Sequence, residues 1–177
     1  MQEWIVALSN YSATRESILQ HRFLADVCGE LWHRGEFDFV VSHSEVDNSG
    51  YDVIIEVGAV QRHIQLKAMH SAAKRRSFDI QTRLATRTSG CVVLMIHHPQ
   101  TLTVESYRWF GTPPGQKLPD LGEKVTRSTR GNAAGYKAER PAFREVSLSS
   151  FQSVESVVDL VDRLFGSLMA EDEYTKP

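Results

Sequence analysis

Apolar and polar residues alternate along this chain with two different periods, and the period changes at glycine-containing turns. From about residue 14 to residue 34, apolar side chains recur every three or four positions, which predicts an amphipathic helix ended by Gly35. The apolar stripe consists of Ile18, Leu19, Phe23, Leu24, Val27, Leu31 and Trp32. The next stretch, 37–43 (FDFVVSH), predicts a strand.

Two short apolar strands follow, at 51–57 and 60–68, around a tight turn at Gly58 and Ala59. A turn at this position sets Asp52 opposite Gln65 across the hairpin. Because side chains alternate between the two faces of a strand, Lys67 then shares the face of Asp52 and Gln65. The other face is mostly apolar, so the hairpin is predicted to cover a core on one side only.

The second half of the chain is less regular. A basic helix is predicted at 70–88, and the continuous apolar run at 91–96 (CVVLMI) is typical of a strand covered on both faces. Another strand is predicted at 101–110, a long loop at 111–140 and an edge strand at 143–148. Ser149 and Gln152 are predicted to cap a final helix, and 170–177 form a frayed tail. This order favours an α/β fold with helices around a mixed central sheet.

The composition narrows the class of protein without identifying it. A length of 177 residues fits one domain with a real core, and residues 1–11 form a short lead segment. The net charge of -2 excludes a globally basic surface, so a nucleic-acid partner would need a local patch or a metal-bridged site. Cys28 and Cys91 are expected to be buried apolar residues. No membrane span or signal peptide is recognisable, which predicts a cytoplasmic protein.

The segment Ser49-Gly50-Tyr51-Asp52, followed by Gln65-Leu66-Lys67, resembles the PD-(D/E)XK, or restriction-endonuclease-like, nuclease superfamily. In that superfamily an Asp begins one strand and a (Glu/Asp/Gln)-x-Lys segment lies on the next. The Gly-x-Asp and Gln-x-Lys combination is most similar to Mrr-like restriction enzymes. The resemblance covers roughly residues 14–97 and implies an α-β-β-β-α-β core. It also implies a metal-dependent nuclease that hydrolyses DNA, in bacterial defence or DNA processing.

The resemblance assigns roles to particular residues. Asp52, Gln65 and the backbone carbonyl of Leu66 would bind Mg²⁺ or Mn²⁺, and Lys67 would orient the attacking water. Gln65 offers a neutral amide oxygen where the usual family pattern has a Glu, so a further carboxylate would restore the lost charge. Relatives often carry one in the first helix. A count of ~15 helical residues against the length of the following strand favours Glu16 over Glu30.

The predicted contacts with nucleic acid rest on basic residues outside the motif. They are Lys74, Arg75 and Arg76 at the start of the predicted second helix, and Arg127 and Arg130 in the long loop. Nucleases of this type often need a homodimer to cut both strands, and the sequence leaves that open. Two alternatives are also open: a catalytically inactive domain that binds nucleic acid, and a protein-interaction domain that docks a partner through the loop segment TPPGQKLPDLGEK.

Overall fold

The computed structural model describes residues 2–44, 49–128, 135 and 137–166. Over these residues the chain is mixed α/β, with a central mixed sheet flanked by helices. The helices are α1 (Gln2–Asn10), α2 (Ser12–His33), α3 (Thr82–Ala85) and α4 (Val157–Phe165), with a 3-10 turn at Leu148–Ser150. The strands are β1 (Phe39–His43), β2 (Val53–Val57), β3 (Val60–His70), β4 (Ser77–Gln81), β5 (Gly90–His97), β6 (Val104–Gly111), β7 (Val125–Arg127), β8 (Glu139–Ser147) and β9 (Gln152–Val154).

The central sheet has the order β1-β2-β3-β5-β6-β9, and only the β3–β5 pair is parallel. Strands β2 and β3 form the predicted hairpin. Val53 pairs with Ile64 and Val57 with Val60, so the predicted register is confirmed. Gly58, at a φ of 54°, supplies the left-handed conformation that a tight hairpin turn requires. Strand β5 lies inside the sheet and is almost entirely buried, as its apolar run predicts.

Helices α2 and α4 cover one face of the central sheet. Their buried side chains are Leu19, Phe23, Val27 and Leu31 from α2, and Leu160, Val161, Leu164 and Phe165 from α4. The predicted cap of α4 was wrong, because Ser156, and not Ser149, accepts a hydrogen bond from the N–H of Asp159. Gln152 instead begins β9, which pairs with β6, and this pairing delays the start of the helix.

A second sheet, with the order β4-β8-β7, covers the other face of the central sheet. The predicted helix at 70–88 was therefore wrong: β3 continues to His70, β4 follows, and α3 is a single turn. Phe78 and Ile80 are both fully buried between the sheets, a period of two that a helix does not have. Strand β8 is not an edge strand either, because it lies between β4 and β7.

The remaining predictions concern the lead segment, the long loop, the tail, the two cysteines and a membrane span. Residues predicted as a lead segment form α1, and the predicted loop at 111–140 contains β7 and the first residues of β8. The tail at 170–177 lies outside the described residues. Cys28 and Cys91 are free thiols in α2 and β5, half-buried and buried respectively. Among the described helices, none is long and apolar enough to cross a membrane.

Candidate functional site

A polar cavity of about 410 Å³ lies where β3 extends beyond its hairpin partner. Pairing between β2 and β3 stops at Ile64, and β3 continues for six residues to His70. The cavity is bounded by this part of β3, by the first half of α2 and by the second sheet. Its lining includes the predicted site residues Glu16, Asp52, Gln65, Leu66 and Lys67.

Asp52 lies directly before β2 and is fixed in position by hydrogen bonds. Its N–H donates to the carbonyl oxygen of Ile64 (2.9 Å), and its Oδ2 accepts from the N–H of Leu66 (2.6 Å). Gly50, just upstream, passes so close to α3 that a Cβ would lie 2.8 Å from the backbone nitrogen of Leu84. The carboxylate therefore caps the hairpin and is also held against β3 at the cavity.

Gln65 is the most unusual residue of the cavity. It is 4% exposed, and its Oε1 has no hydrogen-bond partner within the described part of the chain. An unsatisfied buried amide oxygen costs about 1–3 kcal/mol. Because Gln65 lines the cavity, a cation or a hydrogen-bond donor bound there could satisfy this oxygen.

Lys67 lines the same cavity two residues further along β3, on the face of Gln65. The lining contains charged groups of both signs. The cationic residues are Arg15, Lys67, Arg75 and Arg140, and the carboxylates are Glu16, Asp52 and Asp79. An ammonium, a carboxylate and an amide oxygen thus meet at one place, which is the combination that the hairpin register predicts.

The two helix carboxylates considered from the sequence lie at opposite ends of α2. Glu16 lines the cavity, together with Leu19 and Gln20 of the same helix. Its Oε1 accepts a hydrogen bond from Arg15 (3.1 Å), and its side chain is 66% exposed. Glu30 instead accepts from Arg34 (2.8 Å) near the C-terminal end of α2. Of these two helix carboxylates, only Glu16 is therefore placed to act at the cavity.

The second sheet contributes one cavity residue, Asp79, that was not singled out in the sequence. Asp79 of β4 pairs with Arg140 of β8 (3.2 Å), and the Arg140 guanidinium stacks 3.9 Å from the ring centre of Phe143. Gln81, which was expected on a helix, ends β4 and also lines the cavity. The signal that could have placed Asp79 and Gln81 on a strand is their alternation with the buried Phe78 and Ile80.

The basic residues predicted to contact nucleic acid lie in separate parts of the structure. Arg75 lines the cavity, where it stacks 4.6 Å from the ring centre of Phe78 and donates to the Ser77 carbonyl oxygen (2.7 Å). Lys74 and Arg76 are exposed in the β3–β4 connection. Arg127 lies beside a different cavity of about 680 Å³ and pairs with Glu139 (3.4 Å). Arg130 lies outside the described residues.

The oxygen donors of the cavity are of the kind that hard divalent cations prefer, namely a carboxylate and an amide oxygen. Among the described residues, no group of three or more His, Cys, Asp or Glu side chains could hold a metal ion. Mg²⁺ needs only one or two protein carboxylates when substrate phosphates and waters complete its shell. The donor set therefore suits a cation that binds together with a phosphate-containing substrate.

Models of known protein families gave no match to this sequence, and no curated protein matched it. What the cavity can do is therefore inferred from its geometry and its chemistry.

Proposed function

We propose that the cavity beside Gln65 is the active site of a divalent-metal-dependent nuclease that hydrolyses DNA phosphodiester bonds. The observation that supports this most strongly is the buried Oε1 of Gln65, which lacks a partner among the described residues and belongs to a residue that lines a cavity with Asp52 and Lys67. A protein gains nothing in stability from such an oxygen. A cation coordinated by this oxygen would satisfy it, and removal of the cost would add to the binding free energy of the cation.

Each residue then has a distinct task. Asp52 and Gln65 hold Mg²⁺ or Mn²⁺ with the carbonyl oxygen of Leu66, and Glu16 adds a second carboxylate. The bound ion supplies charge stabilisation on the phosphate and activation of a water. The N–H of Leu66 orients the Asp52 carboxylate. The Lys67 ammonium positions the attacking water and stabilises negative charge as it develops on the phosphate oxygens.

We also propose that the fold is restriction-endonuclease-like. The order of helix α2, strand β1 and hairpin β2–β3 agrees with the first four elements of the α-β-β-β-α-β pattern of that superfamily. The difference lies after β3, where β4 and the single turn of α3 replace the expected helix. A role in bacterial defence or DNA processing, with a homodimer for double-strand cutting, follows from the resemblance alone.

Calorimetric titration of Mn²⁺ and Mg²⁺ into the protein, with and without DNA, tests the proposal. We expect binding in the wild type that is lost in Asp52→Ala, because the fixed carboxylate is the principal ligand. Glu56→Ala is the matched control: Glu56 lies on the same hairpin, accepts from Gln61 (3.0 Å), and is not among the residues that line the cavity. Equal binding in wild type and Asp52→Ala, with DNA present, would contradict the proposal.

The second candidate function is a domain that binds nucleic acid without cutting it. The neutral Gln65 and the lack of a three-ligand group among the described residues favour it. DNA binding would then persist in a chelator, and no metal would produce cleavage.

The protein-interaction alternative is less well supported by the fold. Leu118 and Leu121 of the loop at 112–124 are buried in the core between the two sheets. The loop is also held by Ser89, whose N–H donates to the Gln116 carbonyl oxygen (2.8 Å). A segment packed in this way contributes to the core, and its deletion is expected to destabilise the fold.

A further inference from the structure

We propose that the cavity takes an unpaired nucleotide strand, and that Arg140 is the platform on which one of its bases stacks. This inference rests on the proposed function, because it assigns a substrate class to the same cavity. It concerns the wall opposite β3, which the second sheet supplies through β4 and β8.

The plane of the Arg140 guanidinium is fixed by two contacts. One face of the guanidinium stacks on Phe143, 3.9 Å from the ring centre, and Nη1 donates to Asp79 Oδ2 at 3.2 Å. The side chain is still 42% exposed and lines the cavity, so a ligand in the cavity can contact it. Arginine guanidinium planes are common stacking partners of unpaired bases. A guanidinium already held flat loses little freedom when a base stacks on it.

The position of Gln65 favours an unpaired strand over a duplex. Lys67 lines the same cavity as Gln65, which is 4% exposed, so a phosphate that pairs with the Lys67 ammonium must enter this cavity. A base joined to that phosphate reaches the Arg140 plane only if it has left its own stack and its partner. The cavity volume of about 410 Å³ is of the size that holds a small ligand, and a double helix does not fit inside it.

Arg75 supports the same orientation of the strand. It lines the cavity on the side of β4 and is held by its stacking on Phe78 and its bond to the Ser77 carbonyl oxygen. Its exposed guanidinium is placed to pair with the phosphate of a neighbouring nucleotide. One stacked base and one paired phosphate would hold a single strand across the candidate catalytic residues.

Fluorescence anisotropy with a labelled DNA of about 12 nucleotides, free and as a blunt duplex, tests the inference in the presence of a chelator. We expect the wild type to bind the single strand more tightly than the duplex. Arg140→Ala should weaken single-strand binding roughly tenfold and change duplex binding little. Arg140→Lys keeps the charge and loses the plane, so it should weaken single-strand binding as well.

Arg163→Ala is the matched control, because Arg163 also pairs with a carboxylate, Asp159 (2.8 Å), but lies on α4 and is not among the residues that line the cavity. It should bind the single strand like the wild type. A melting curve for each variant confirms that the fold is intact, and Arg140→Lys serves where Arg140→Ala fails to fold.

Two results would overturn the inference: duplex binding as tight as single-strand binding in the wild type, or full single-strand binding by Arg140→Lys. The assay needs neither metal nor cleavage. Failure of the proposed nuclease function would instead appear as a lack of metal-dependent cleavage of either DNA, whatever the binding preference.

Discussion

Strand β3 buries two polar side chains only three residues apart, and they are buried for different reasons. Arg62 is fully buried, and its guanidinium lies 5.2 Å from the ring centre of Trp109 while Nη2 donates to the Thr112 carbonyl oxygen (3.0 Å). Gln65 is 4% exposed and lines the polar cavity. Arg62 is surrounded by protein, whereas Gln65 borders a space that a ligand can enter.

Burial of a polar group does not by itself indicate function, since Arg62 and Gln65 are both buried. Arg62 also has donors, Nε and Nη1, without partners among the described residues. Its neighbour Cys91 is completely buried, and burial raises the pKa of this thiol to about 11. The Arg62 side chain is held by its aromatic and carbonyl contacts, so its expected role is packing. Gln65 becomes a candidate ligand because a cavity and a fixed carboxylate accompany it.

The largest expected effect is on catalysis at the cavity end of β3. Asp52→Ala and Lys67→Ala should each reduce Mg²⁺-dependent DNA cleavage at least ~10²-fold, because each removes a group that acts on the charge of the reacting phosphate. Circular dichroism and melting curves should show that both variants stay folded. Full activity in either variant would contradict a catalytic role for the cavity and remove the distinction between Gln65 and Arg62.

The next largest effect concerns the contribution of Arg62 to stability. Arg62→Ala should reduce the free energy of unfolding by roughly 3 kcal/mol, because it leaves a large cavity against Trp109 and an unsatisfied carbonyl at Thr112. Urea unfolding measures this loss. Metal binding by calorimetry, well below the melting temperature, should equal that of the wild type. A change in metal affinity would instead connect Arg62 to the cavity.

A smaller effect is expected when the neutral ligand becomes charged. Gln65→Glu should tighten Mn²⁺ binding about tenfold, because the added charge faces the cation directly. Without metal the variant should melt below the wild type, since an unpaired carboxylate is then buried, and Mn²⁺ should restore its melting temperature. Weaker Mn²⁺ binding by Gln65→Glu than by the wild type would argue against Gln65 as a ligand.

The smallest effect is the dependence of stability on pH. Burial lowers the pKa of His97 below its ordinary value of 6.5, and burial, followed by the charge of Arg87, lowers the pKa of His63. The unfolded chain therefore binds more protons than the folded chain at acidic pH. The contribution of these two histidines to the free energy of unfolding is fully present above pH 6.5 and is lost as the pH falls below it. Urea unfolding between about pH 7.5 and pH 5 measures this, and His97→Gln should make the dependence shallower. An unchanged slope in His97→Gln would assign the dependence to other groups.

Much of the helix-covered half of the molecule could be predicted from the sequence. The apolar stripe of α2 runs from Ile18 to Trp32, about four turns, and the bounds of the helix at Ser12–His33 agree closely with the periodicity. The hairpin register follows from one local turn at Gly58. The same register brings Asp52 and Gln65 to one place, and the length of α2 brings Glu16 to the same cavity. The helix bounds and the hairpin register depend on residues close together in the chain.

The second sheet could not be predicted in the same way. Strand β4 pairs with β8, and Phe78 meets Val146 across a long stretch of intervening chain. A five-residue strand with basic neighbours carries too short a pattern to be distinguished from a helix. Asp79 and Arg140 reach the cavity only through this pairing, which is why the sequence did not reveal them as one pair.

Periodicity and turn geometry are local properties, so the helix α2, the hairpin, the buried strand β5 and the shared face of Asp52, Gln65 and Lys67 follow from the sequence. The tertiary structure adds the second sheet over the other face and brings Arg140 and Asp79 to the cavity beside β3. It also leaves Gln65 at a cavity and encloses Arg62 in protein. Enclosure depends on which distant segments pack against a side chain, and a linear pattern does not specify those segments.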